Sequence, residues 1–65
     1  MNKMVIANKA GISMSITTNP TVIPAVGHAI KDTHFKKFGL SEIARVSSVV
    51  WELGERDVTI WVYVK

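Results

Sequence analysis

The 65-residue chain contains no cysteine, so no disulfide can brace it and no zinc site built on thiolates can form. A cysteine-free composition agrees with a reducing compartment, and a cytoplasmic protein is expected. Long apolar runs are missing too. Nothing approaches the roughly 20 residues that cross a bilayer as a helix. The "MVIA" between Lys3 and Asn8 is too short for the apolar stretch of a secretory leader. No membrane partner is expected. Acidic residues are scarce: five Asp and Glu stand against eight Lys and Arg, a formal net charge of +3. That balance excludes a DNA-mimicking inhibitor, which needs an acidic surface, and permits a nucleic acid or an acidic protein as partner. A charge of this size also serves solubility alone.

Groups that do chemistry are equally sparse. The only two histidines are His28 and His34. Six residues apart on a helix they would point roughly 120° from each other, off the same-face spacing that a metal wants. His28 and Asp32, four apart, suit an ordinary surface pair, and His34 beside Phe35 suits a packing role. No motif places a histidine to activate Ser13, Ser15, Ser41, Ser47 or Ser48. The four glycines form no phosphate-cradling array. Asn19-Pro20-Thr21 has proline in the middle of a glycosylation triplet and is inert as one. A single domain spanning residues 1–65 also leaves little room for a ligand pocket of about 300 Å³. Neither an enzyme, nor a cofactor or metal site, nor a small-molecule substrate is expected. At this length only about 60% of the unfolded surface can be buried, so tight packing or self-association must supply support.

What is present is a strong strand pattern at both ends. In "KMVIANKAGISMSIT", Asn8 and Gly11 suit the ends of a type I turn, with Gly11 in the left-handed region, so that Asn8 pairs with Ile12. This register predicts Met4, Ile6, Ile12, Met14 and Ile16 on one face, and Lys3, Val5, Ala7, Ser13, Ser15 and Thr17 on the other. At the far end, Val58 to Lys65 alternate without a fault. A strand over residues 46–53, joined by the "GERD" loop, would pair Leu53 with Val58, Trp51 with Ile60 and Val49 with Val62.

The middle reads differently. A helix is predicted from near Thr21 to Phe38, with Pro24 in its first turn, Ile23, Val26, Ile30 and Phe38 as its buried stripe, Gly27 allowing close approach, and Gly39 as a left-handed cap behind Lys36 and Lys37. Residues 41–53 carry two signals. Ile43, Val46, Val50 and Leu53 have helical spacing, which would give a helix–turn–helix, whereas "RVSSVVW" is rich in β-branched residues and serines, which favour a strand. The strand is preferred because the last strand needs a neighbour. The expectation is therefore α+β: ββαββ, two hairpins forming a four-stranded sheet with one helix packed across one face. In element order and length this is similar to the immunoglobulin-binding domains of streptococcal protein G. No motif of that family is present, so antibody binding does not transfer.

A sheet covered on one side leaves its second face open. On that face the pairing predicts Glu52 beside Thr59, Val50 beside Trp61, Ser48 beside Tyr63 and Val46 beside Lys65, while Trp51 turns to the core. Trp61 and Tyr63, with Val50 and Val46 beside them and Lys3 and Lys65 at the rim, make an exposed apolar and aromatic patch of the kind that meets another protein or a second copy as a homodimer. The reading is a small non-enzymatic protein-binding module, of the accessory or inhibitor type that phages and mobile elements encode. The alternative is a small basic nucleic-acid-binding protein, its aromatics stacking on bases while Lys31, Lys36, Lys37 and Arg45 contact phosphates. A third reading gives Trp61 and Tyr63 cross-strand packing and nothing more.

Overall fold

The computed structural model describes all 65 residues and is built from strands. They are β1 (Asn2–Ala7), β2 (Ser13–Thr18), β3 (Ala29–Lys31), β4 (Ile43–Leu53) and β5 (Val58–Val64), with one 3₁₀ segment over Thr33–Phe38. They form a single sheet in the order β2-β1-β5-β4-β3. β1 and β5 run parallel at its centre, and every other pair is antiparallel.

This overturns the four-stranded ββαββ sheet with a packed helix, and with it the likeness to the protein G domains. With 51% strand and 9% helical residues, no helix crosses the sheet. The reason lies in "TNPTVIPAVGHAI". Two prolines, a glycine and β-branched residues are poor helix material together, and this propensity overrides the helical spacing of Ile23, Val26 and Ile30. Gly27 settles the point. Its φ of 91° belongs to the third position of a tight turn, closed by His28 N–H donating to Ala25 O at 3.0 Å, which no helix interior accommodates. From that turn the chain enters β3, a strand that was not anticipated. Only the last part of the predicted helix survives, as the 3₁₀ segment. Asp32 caps it by accepting from His34 N–H at 2.9 Å, and Gly39 ends it in the left-handed region at φ 79°.

The core takes the helix's place with a single ring. The sheet curls until the 3₁₀ segment, which follows β3 at one edge, packs against β2 at the other. Phe35 is thereby 0% exposed, buried among Met4, Ile6, Met14, Ala44, Val46, Ile60, Val62 and Val64. Full burial of such a ring is worth about 1.5–3 kcal/mol by transfer. Ile23, Ile30, Phe38 and Leu40 pack around it half-buried.

Two bulges decide which side chains enter this core. The first turn forms as predicted, with Asn8 N–H donating to Ile12 O at 3.0 Å and Gly11 N–H to Asn8 O at 2.9 Å. Ile6 then pairs with Ser15 and Ala7 with Ser13, so Met14 is an extra residue. Met14 dips into the core, and beyond it the register is reversed: Ile16 pairs with Val5 on the opposite face instead of joining Met4 and Ile6. In the second hairpin Val46 pairs with Val64 but Ser48 with Tyr63, which makes Ser47 the extra residue. The Ser47 hydroxyl donates to Tyr63 O at 3.1 Å, and Val46 is turned into the core. The rest of the β4–β5 register is as predicted, and residues 43–53 are strand throughout. The Ser41 hydroxyl accepts from Ile43 N–H at 3.2 Å where β4 begins.

Candidate functional site

The face of the sheet away from Phe35 has no covering layer. Across it, Ile16, Val5, Trp61 and Val50 stand side by side on four adjacent strands, β2, β1, β5 and β4. The row above holds Ser13, Ala7, Tyr63 and Ser48, and the row below Thr18, Lys3, Thr59 and Glu52. The apolar row is bordered on one side by polar residues, and on the other Ala7 and Tyr63 extend it between Ser13 and Ser48. Ile16 is 61% exposed and Val50 48%.

Trp61 and Tyr63 are half-buried because they lie over the small residues of β1. Val5 and Ala7 are their direct partners and are themselves buried beneath this face. The two rings are nearly parallel, 13° apart in plane with centroids at 6.3 Å. Trp61 Nε1–H donates to Glu52 Oε1 at 3.1 Å, which fixes the indole and draws the carboxylate over the face. The aromatics therefore have a packing task, shielding Val5 and Ala7, and at the same time present a preorganised surface.

Of the other residues expected in the patch, Lys3 lies in the row below, between Thr18 and Thr59. Lys65 exchanges main-chain hydrogen bonds with Arg45 at 3.1 and 3.3 Å beyond the end of β5. Val46 does not belong. At 2% exposure it sits under Phe35's side of the sheet, moved there by the Ser47 bulge. Ile16 belongs and was missed; a serine-flanked bulge gives no clear signal in the amino-acid pattern. Ile43 was also missed. It alternates with the buried Ala44, so it stands on the open face, 57% exposed.

The cations divide between the two faces. Lys31 and Arg45 pair with Ile43 and Ala29, on the same side as Tyr63, so that with Lys65 they form a basic corner of the open face. The Arg45 guanidinium donates to Gly27 O at 3.0 Å. Lys36 and Lys37 ride on the 3₁₀ segment that closes the core face, where Lys36 meets Glu42 at 3.0 Å. They lie on the side of the sheet opposite Trp61.

Trp51 was assigned to the core and points toward that side, yet it is 55% exposed, and Leu53 beyond it is 75% exposed. Without a helix, nothing covers that end of the sheet.

His28 does not meet Asp32; its Nδ1 accepts from Ala25 N–H at 3.2 Å within the Gly27 turn. His34 packs on Phe38 with ring centroids 5.6 Å apart. No three His, Asp or Glu side chains come together as a metal site. One shallow concavity of about 180 Å³ is lined by Met1, Lys3, Asp57 and Thr59. No helix is long and apolar enough to cross a membrane. Fold and face together define a class: a small curled β-sheet with one face plugged and the other open. Compared with known families, curated proteins and solved structures, the chain matches none, so the functional reading rests on this geometry.

Proposed function

We propose that this protein is a small, non-enzymatic, cytoplasmic binding module that docks another protein on the open face of its sheet. The observation that carries the reading is the apolar row Ile16–Val5–Trp61–Val50, continuous over four strands and extended by Tyr63 beside Trp61. Tryptophan and tyrosine at the centre of such a patch supply contact area at low entropic cost. Charge favours a foreign partner over a second copy here. Lys3, Lys31, Arg45 and Lys65 share the face against the single carboxylate of Glu52, and a partner with an acidic rim would match them.

The nucleic-acid reading keeps one supporting observation, the basic corner of Lys31, Arg45 and Lys65 next to Tyr63. Against it, Glu52 is held beside Trp61, where a phosphate backbone would pass, and Lys36 and Lys37 belong to the other face.

The test is capture of partners from the protein's native source with the wild type, the Trp61→Thr/Tyr63→Thr variant and the Lys36→Glu/Lys37→Glu variant, at low and high salt. Protein capture that disappears in the aromatic variant and persists in the charge variant and at high salt is expected. Capture that survives loss of both aromatics would refute the reading. Capture of nucleic acid with a steep salt dependence would transfer it to the alternative.

A further inference from the structure

We infer that two copies of this chain join through the free edge of β4, running antiparallel about a two-fold axis at Trp51, so that their sheets continue into one. The inference rests on the main-chain geometry of the β4 edge and not on the apolar row of the open face.

Only the start of β4 has neighbours on both sides. β3 pairs with Ile43, Ala44 and Arg45, and the Gly27 turn adds two bonds at Val46, with Val46 N–H donating to His28 O and Gly27 N–H to Val46 O, both at 2.9 Å. From Ser47 to Leu53 the edge is bare. Bonded and non-bonded pairs alternate along an antiparallel ladder. Gly54 N–H donates to Asp57 O at 2.8 Å, so Glu52 and Val50 are the residues that bond β5. The N–H and C=O groups of Val49, Trp51 and Leu53 then point outward, and no main-chain bond outside the β4–β5 ladder reaches them.

Natural edges of this length are blunted by lysine, proline, an inward-turned charge or a bulge, and the one bulge of β4, at Ser47, comes before the outward residues Val49, Trp51 and Leu53. Residues 46–53, "VSSVVWEL", contain neither lysine nor proline. Their one charge, Glu52, is drawn back over β5 by Trp61 Nε1, away from the edge.

A second copy fits this edge in one register. With the axis at Trp51, Val49 and Leu53 each meet the other's counterpart, and all three outward residues exchange both bonds. The side chains agree: Trp51 lies against Trp51, Val49 against Leu53, and Glu52 against Val50 rather than against Glu52, so no like charges oppose one another. The hairpin tip of the second copy then ends opposite Ser47, short of the place at Val46 that Gly27 and His28 occupy. Moving the axis to Val50 would drive the tip into His28. Moving it to Glu52 would leave Val49 unpaired. Trp51 and Leu53, which nothing covers in one copy, are covered in two.

The contact is small by the standard of permanent dimers, so the association should be concentration-dependent. Solution mass by light scattering and sedimentation across a concentration series tests it. For the wild type the mass should rise from 7.2 kDa toward twice that value. Trp51→Lys, which sets two cations against each other at the axis of an exposed strand, should stay monomeric. Leu53→Pro removes an outward N–H without touching the β5 ladder and should shift the midpoint to higher concentration. Ile16→Ser, on the open face and three strands away from β4, should dimerise like the wild type, which separates this contact from that face. Circular dichroism checks that each variant is folded. The cysteine-free chain allows a second readout. In an antiparallel bonded pair the Cα atoms are about 5.5 Å apart, within disulfide reach. Trp51→Cys should therefore oxidise to a covalent dimer much faster than Ser41→Cys. A wild type that stays monomeric, a dimer that survives Trp51→Lys, or equal oxidation of the two cysteine variants would each overturn the inference.

Discussion

The two halves of β4 carry the same alternation and meet opposite fates. On the Phe35 side of the sheet, Ala44 and Val46 are buried at 2% each, whereas Trp51 and Leu53, on that same side, stand 55% and 75% exposed. Val49 between them is half-buried. Strand propensity and apolar character do not separate the two sets. What differs is cover: the first half lies between β3 and β5 with Phe35 over it, and the second half has β5 alone. An apolar strand residue is buried only where another element covers it, and in these 65 residues the 3₁₀ segment covers the first half of β4 alone.

The comparison breaks most visibly at Phe35. Removing its ring should cost about 3–5 kcal/mol. A chain of this length holds on the order of 3–10 kcal/mol in total, at about 0.05–0.15 kcal/mol per residue. Phe35→Ala is therefore expected to lose its cooperative urea transition, and Phe35→Leu to keep one at a lower midpoint. Leu53→Ala, at the uncovered end, should change the unfolding free energy by less than about 0.5 kcal/mol, measured where the protein is monomeric. Equal effects at Phe35 and Leu53 would mean that both ends are covered alike.

A second pair sharpens the comparison at the bulge. Val46 and Val50 would share a face in an unbroken strand, and the Ser47 bulge sends them to opposite sides. Val46→Ala should cost about 2 kcal/mol, two methyl groups' worth of transfer plus a small cavity. Val50→Ala should cost well under about 1 kcal/mol in urea titrations of the monomer. Similar losses at the two positions would place the bulge elsewhere.

Those two valines also mark how far the amino-acid pattern could be read. Four of the five strands were legible from alternation, and both hairpin turns from Asn8, Gly11 and Gly54 to Asp57, because these signals are local. The open face around Trp61, Tyr63, Val50 and Lys3 followed from them. The bulges were not legible: at Ser13–Ser15 and Ser47–Ser48, small polar side chains satisfy either face, so nothing in the pattern resists an extra residue. Hence Val46 was misplaced and Ile16 overlooked. The missing helix has another cause. Ile23, Val26 and Ile30 have helical spacing by coincidence, and the decisive facts, the return of the chain to the β4 edge and the pairing of β1 with β5, are long-range.

Gly27 is where cover of β4 ends, and it gives the smallest effect but the clearest sign. In the interior of a helix, as the spacing suggested, replacing glycine by alanine would stabilise by about 1 kcal/mol. Here Gly27 has a φ of 91°, and no atom lies within 4 Å of where a Cβ would stand. Crowding is therefore not at issue, and the cost is backbone strain alone, about 1–2 kcal/mol for an alanine held in that region. Gly27→Ala should lower the unfolding free energy from urea titration by that amount, with the loss concentrated in the bonds the turn makes to Val46, so that amide exchange at Val46 quickens more than at Val62. Stabilisation would restore the helix and remove β3. A loss without faster exchange at Val46 would show that the turn does not hold the β4 edge, and the boundary between its covered and bare halves would then have to be drawn at Arg45.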